Sequence, residues 1–117
     1  MPDQDLSKKK RVASLQEKAT YSRGVHKRLS AAKAKIVGVE ATIRSASVAG
    51  HIMVTQQLED AQRAVDANLA AAEESLERLR KSGEEAWEDL AIDADTAWEN
   101  LSQSIKRLVA GYSESKK

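Results

Sequence analysis

Apolar residues in the first half of the chain recur with a heptad spacing. Leu29, Ile36 and Ile43 lie seven residues apart. Apolar or small residues fill the positions between them, at Val25, Ala32, Val39 and Ala46. Such a narrow stripe, with a mean period of 3.5 residues, is typical of a helix that packs along a partner helix. The pattern predicts a helix over about residues 7–46, preceded by a frayed segment over residues 1–6 that contains the only proline.

The chain then loses charge and gains small residues over the segment from Ser45 to His51. Gly50 lies within this segment, and glycine commonly ends helices because it adopts backbone angles that other residues avoid. We therefore expect a bend over about residues 47–51 that reverses the direction of the chain.

A second apolar stripe follows the bend, with a mean spacing near 3.67 residues, and predicts a helix over about residues 52–111 and a tail over residues 112–117. Within it, the sequence Ala86-Trp87-Glu88-Asp89-Leu90 returns eleven residues later as Ala97-Trp98-Glu99-Asn100-Leu101. Eleven residues make three helical turns, so both tryptophans fall on one face of the helix.

Gly83 leaves two arrangements of this second stripe open. Ser82 and Glu85 have the spacing of a capping box, which would start a new helix after a break. The apolar phase nevertheless passes through Gly83 without a shift, and one glycine inside a helix costs only about 1 kcal/mol relative to alanine. We expect a single all-α domain, a long antiparallel helical hairpin of the coiled-coil type, with a three-helix bundle as the alternative if the helix breaks at Gly83.

In the hairpin, the second helix extends beyond the first and leaves part of its apolar stripe uncovered. An uncovered stripe favours association with another molecule, so we expect a homo-oligomer, a dimer or larger, and a possible protein partner. The predicted interface consists of the apolar positions in the overhanging part: Trp87, Leu90, Ala94, Trp98, Leu101, Ile105 and Leu108.

Charge is divided between the two halves, although the net charge is only +1. Residues 1–50 contain eleven Lys and Arg against four acidic residues, whereas residues 51–117 contain eight against fourteen. A basic helix binds polyanions non-specifically and with a strong dependence on salt. The candidate residues for binding a nucleic acid or another polyanion are Lys8, Lys9, Lys10, Arg11, Lys27 and Arg28.

Residues able to carry catalysis or hold a metal are sparse. The chain has no cysteine, and His26 and His51 lie far apart, outside the Glu-x-x-His and His-Glu-x-x-His patterns of helical metal sites. We expect no enzyme activity and no cofactor. No apolar run reaches the roughly 20 residues that span a bilayer, and no apolar leader begins the sequence, so we expect a cytoplasmic protein. Lipid-surface binding is less favoured because acidic residues flank the tryptophans.

The second half resembles small bacterial coiled-coil proteins associated with stress responses. The positions that carry the resemblance are two leucines and two Ala-Trp-x-x-Leu units: Leu76 and Leu79, then Ala86, Trp87 and Leu90, then Ala97, Trp98 and Leu101. The resemblance implies a helical rod that assembles or scaffolds and supplies no catalytic residues. The leading prediction is therefore a non-enzymatic protein that self-associates or scaffolds through its apolar stripe. Polyanion binding by the first helix is the alternative.

Overall fold

A computed structural model describes residues 2–83 and 86–117, with side chains from residue 16 onward. Within these residues the chain forms three helices and no strand: α1 (Pro2–Val48), α2 (Gln56–Lys81) and α3 (Trp87–Ser115). The all-α class predicted from the sequence is confirmed. Of the two predicted arrangements, the structure has the three-helix one.

The chain reverses direction after α1 at the glycine that the sequence indicates. Gly50 has φ of 75°, in the left-handed region. The His51 amide donates to the Ala46 carbonyl at 2.9 Å, and the Gly50 amide donates to the Ser47 carbonyl at 3.1 Å. This pair of hydrogen bonds is the Schellman arrangement that satisfies the last carbonyls of a helix. A short connection then leads to Thr55, whose side chain caps the start of α2 by accepting from the Leu58 amide at 3.1 Å.

The second helix is not continuous over residues 52–111, so this preferred prediction was wrong. Helix α2 ends at Lys81, and Ser82 adopts extended backbone angles. Ser82 therefore closes the end of α2, where its amide and its hydroxyl both donate to the Leu79 carbonyl. It does not cap the start of α3, and Glu85 of the proposed capping box lies outside the described residues. Folding α3 back buries its apolar stripe, and that gain outweighs the few helical hydrogen bonds lost at the break.

The three helices pack around one apolar core. Helix α2 is antiparallel to α1, as the ion pair between Lys33 and Glu73 indicates, and α3 returns beside α2 with its closest backbone approaches there. The fully buried side chains come from α2 and α3: Leu58, Val65, Leu79, Leu101 and Leu108. Helix α1 adds the heptad positions Val25, Leu29, Ala32, Ile36 and Ile43.

The end of the chain is fixed against the α1–α2 connection. The Met53 amide donates to the Ser115 carbonyl at 2.9 Å, and the Lys117 amide donates to the His51 carbonyl at 3.1 Å. These bonds form an isolated antiparallel bridge between Ile52 and Lys116. Helix α3 therefore runs parallel to α1 and extends to Ser115, into the segment predicted as a tail.

Helix α1 is the longest element and projects beyond the other two. It begins at Pro2, in the segment predicted to fray, and its 47 residues span about 70 Å at 1.5 Å per residue. Helices α2 and α3, with 26 and 29 residues, reach only about 39 and 43 Å. Lys18 lies level with the α2–α3 connection, because its ammonium donates to the Ser82 carbonyl at 2.5 Å. The backbone from Pro2 to Lys18, about 24 Å long, therefore lies past the α2–α3 hairpin.

Candidate functional site

The predicted interface stripe lies inside the molecule. Five of its seven residues are buried: Trp87, Ala94, Leu101, Ile105 and Leu108. Leu90 and Trp98 are half-buried and pack against the same core. From the sequence, these side chains were expected on an uncovered part of a long second helix. In the structure α3 turns back against α1 and α2, which cover them. The stripe is thus the core of a single chain.

A hydroxyl and a carboxylate fix α1 against the start of α3. The Tyr21 hydroxyl hydrogen-bonds to the Asp95 carboxylate, and its oxygen lies 2.9 Å from the Ala91 carbonyl oxygen. The Tyr21 ring also packs at 45° against Trp87, with ring centroids 6.5 Å apart. Burial and the contact with Asp95 raise the pKa of Tyr21 above its usual value. The phenol therefore stays protonated at neutral pH and serves as a hydrogen-bond donor.

The basic candidates divide between the projecting part of α1 and the bundled part. The side chains of Lys8, Lys9, Lys10 and Arg11 lie outside the described residues, although the helix backbone passes through these positions. Lys27 and Arg28 are exposed on the bundled part of α1. The two groups lie on one continuous helix, separated by about 24 Å along its axis from Arg11 to Lys27.

The heptad positions of α1 change from apolar to mostly basic where the α2–α3 hairpin ends. Continued toward the N-terminus from Val25, the same heptad positions are Ser22, Lys18, Leu15, Arg11 and Lys8. Three of these five positions are basic, whereas from Val25 onward the buried positions are apolar or alanine. Lys18 marks the change, since its ammonium binds the exposed carbonyl end of α2, where the helix dipole favours a cation. Basic side chains at these positions cannot be buried against an apolar partner, because burying an unpaired charge is costly.

A groove between α1 and α3 brings Trp98 together with three basic residues. Arg28 and Lys35 from α1 and Lys106 from α3 line a cavity of about 320 Å³, together with Trp98, Ser102 and Ile105. All three basic residues are exposed, and none of them forms an ion pair with a residue that the structure describes.

The sequence reasoning missed this groove because it assigned Trp98 to an interface between chains and kept it apart from the basic residues. The available signal was the spacing. Arg28 and Lys35 lie seven residues apart on α1, which puts them on one side of that helix, and Lys106 follows Trp98 by two turns on α3.

The remaining titratable residues do not gather into a metal or catalytic site among those described. No group of three or more His, Asp and Glu side chains there could hold a metal ion. His26 and His51 are both exposed. Glu84 and Glu85 of the acidic clusters lie outside the described residues, and Glu88, Asp89, Asp93 and Asp95 are exposed on α3. Catalysis by a carboxylate needs a desolvated pocket, which an exposed helix face does not supply.

Comparison of the chain with family models, with curated proteins and with solved structures found no match. The resemblance to coiled-coil stress proteins therefore stays a prediction from the repeated Ala-Trp-x-x-Leu units. In the part of the chain that the structure describes, no helix has the length and apolar character needed to cross a bilayer.

Proposed function

We propose that this protein is a non-enzymatic binding protein that engages a nucleic acid through the basic surface of α1. The observation that carries the proposal is the projection of α1, about 24 Å long, past the α2–α3 hairpin. The projecting part contains four consecutive basic residues at positions 8–11, and two of them, Lys8 and Arg11, stand at heptad positions that are apolar in the bundled part of α1. Among the described residues, neither α2 nor α3 runs beside the backbone of this part of α1.

Charge separation within the molecule supports an anionic partner. Residues 87–99, at the start of α3, contain five acidic residues and no basic one. The backbone of the basic part of α1 lies past this end of the hairpin. Cations release counterions when they bind phosphates, which makes association favourable and dependent on salt.

Self-association was predicted from an uncovered apolar stripe, and that stripe is mostly buried within its own chain. Trp87, Leu101 and Leu108 are buried within their own chain. Lipid binding through the tryptophan face loses support as well, because Trp87 is buried in the same core. A scaffold or oligomer, a role in stress and a cytoplasmic location stay predictions, and no described residue adds to them.

The test is a salt titration of binding to a fluorescent 20-nucleotide oligo(dT), followed by anisotropy. The variant changes the four basic residues of the projection to glutamine: Lys8, Lys9, Lys10 and Arg11. We expect the wild-type affinity to fall steeply with salt. If all four residues meet phosphates, the slope of log K against log salt shrinks by about 3 in the variant, since each contact to a single strand contributes roughly 0.7.

A matched control removes the same amount of charge from α2 by changing its four basic residues to glutamine: Arg63, Arg78, Arg80 and Lys81. Three of these pair with acidic neighbours on α2, so we expect a smaller loss of affinity. Binding that is flat between low and moderate salt, or an equal loss in the two variants, would exclude the projection of α1 as the binding surface.

A further inference from the structure

We infer that the groove between α1 and α3 is a stacking site for one base of a single-stranded nucleic acid, with Trp98 as the platform. This inference rests on the proposed function and adds what a basic helix alone lacks. Single-strand binding proteins combine a positively charged path for the backbone with aromatic side chains on which bases stack. Trp98 lines a groove together with the basic side chains Arg28, Lys35 and Lys106.

The position of Trp98 suits stacking. Its side chain is half-buried and packs against the core on one side, which holds the ring in place. Its remaining surface lines the groove. Trp87, in contrast, is 7% exposed and packs against Tyr21, so no base can reach it without unfolding. The two tryptophans of the repeat therefore have different roles.

The charges around the groove define the ligand further. Arg28 and Lys35 lie about 10.5 Å apart along α1 and both line the groove with Trp98, and Lys106 lines it from α3. Three positive charges around an apolar floor repel one another unless an anion lies among them. A phosphodiester strand supplies anions on both sides of each base, and this arrangement matches cations that flank an aromatic ring.

Two carboxylates lie near Trp98 on α3, and neither forms an ion pair with Arg28, Lys35 or Lys106. Asp95 is hydrogen-bonded to the Tyr21 hydroxyl, one turn before Trp98. Glu99 accepts from the Gln103 side chain at 3.1 Å. Both therefore have partners of their own. These carboxylates disfavour a strand that continues toward the start of α3, so the phosphates lie toward Arg28, Lys35 and Lys106.

The size of the groove suits one base. Its volume, about 320 Å³, is at the lower end of the range for ligand pockets, roughly 300–1,000 Å³. Stacking discriminates little between the four bases, since each has a flat aromatic face. We therefore expect a preference for single strands over duplexes, in which both faces of each base are already stacked, and little preference among sequences.

Two single-tryptophan proteins test the inference, Trp87→Phe, which keeps only Trp98, and Trp98→Phe, which keeps only Trp87. Each is titrated with oligo(dT) while anisotropy records binding and tryptophan emission records stacking. We expect oligo(dT) to quench the Trp98 emission and to leave the Trp87 emission unchanged. An abasic oligonucleotide of the same length, which has phosphates but no bases, should bind without quenching.

Trp98→Leu supplies a second measure, with thermal unfolding as the check that the variant is folded. We expect its affinity for oligo(dT) to fall roughly five- to hundredfold, toward its affinity for the abasic strand, because stacking on one aromatic residue is lost. Trp98→Phe should retain part of the affinity. Polyglutamate of equal charge should compete for the basic helix without quenching Trp98.

The outcomes separate the inference from the proposed function. Salt-dependent binding by anisotropy with no quenching of Trp98 overturns the stacking site and leaves the binding function of α1 intact. Equal quenching by polyglutamate also overturns the inference, because it makes an acidic protein segment the better occupant. Absence of any binding to oligo(dT) overturns both.

Discussion

Two carboxyl groups on different helices face each other at the α1–α2 contact. Asp66 lies close enough to Glu40 for the two carboxyl groups to share a proton. Burial raises the pKa of Glu40 above its usual value, the contact with Asp66 raises it further, and Arg44 opposes the shift. One oxygen of Glu40, Oε1, is buried without a hydrogen bond to a described residue. At neutral pH this pair is therefore a weak point of the helix packing.

The pH dependence of stability follows from that raised pKa. The folded protein holds the Glu40 proton more tightly than the unfolded chain does, so protonation favours folding. The contribution is fully present below about pH 4.5, the ordinary value for glutamate, and it is lost as pH rises through the higher folded-state pKa. Conversion of Glu40 to an amide would remove this dependence, because the amide is a permanent hydrogen-bond donor to Asp66.

We expect Glu40→Gln to raise the melting temperature at pH 7 by a few degrees and to change it little at pH 4. Thermal unfolding followed by circular dichroism at the two pH values measures this. Asp66→Asn should act similarly, and the double variant should gain less than the sum of the two, since they relieve the same repulsion. A destabilised Glu40→Gln protein at pH 7 would show that the two carboxylates do not meet.

At the scale of helices, the chain turns near two glycines, Gly50 and Gly83, and only the first turn could be located from the sequence. Gly50 lies in an uncharged stretch of small residues, and there the loss of charge and of apolar spacing coincide, so the bend could be located. Gly83 lies in a stripe whose phase continues without a shift. Periodicity reports which face of a helix is apolar, and it does not report whether that face is covered by the same chain.

The candidate site, too, could be predicted only in part from the sequence. The basic character of α1 could be predicted from composition. The heptad positions that form its buried side could be predicted from the spacing of apolar residues. The groove around Trp98 could not, because it exists only when α3 folds back beside α1. Its residues come from positions about 70 apart in sequence, such as Arg28 and Trp98. No local pattern connects residues at that separation.

The turn at Gly50 gives a prediction at this scale. Gly50→Ala forces a side chain into the left-handed region and should cost about 1 kcal/mol of the free energy of unfolding. Gly38→Ala is the matched control, since Gly38 lies within α1 with nothing within 4 Å of a new methyl group. We expect it to stabilise the protein by about 0.5–1 kcal/mol through helix propensity. Urea denaturation distinguishes the two, and equal effects would contradict the turn geometry.

At the scale of the whole molecule, the fold is an elongated body of 73 × 19 × 18 Å with chemically different ends. One end is the projecting part of α1, whose sequence is basic. The other end holds the α1–α2 connection, where the uncharged segment meets the last residues of the chain. The exposed apolar residues Val48 and Met53 lie at this second end, at 86% and 61% exposure.

A distance measurement distinguishes the three-helix arrangement from a continuous rod. The chain contains no cysteine, so Met53→Cys and Glu114→Cys accept a donor and an acceptor dye without background labelling. We expect efficient energy transfer, because the bridge at Ile52 and Lys116 holds these positions close together. One continuous helix would separate them by about 90 Å and abolish transfer. The α2 residue Arg78, paired with position 53, provides a long-distance reference.

The bridge between Ile52 and Lys116 also has a practical consequence for how the molecule can be held. Because that bridge anchors residue 117 at the end farthest from Pro2, a support attached there lies about 70 Å from Pro2, and the projecting part of α1 points away from it. A fusion partner at the C-terminus should therefore not affect the binding of a ligand to α1. The same partner fused before Pro2 should obstruct that binding.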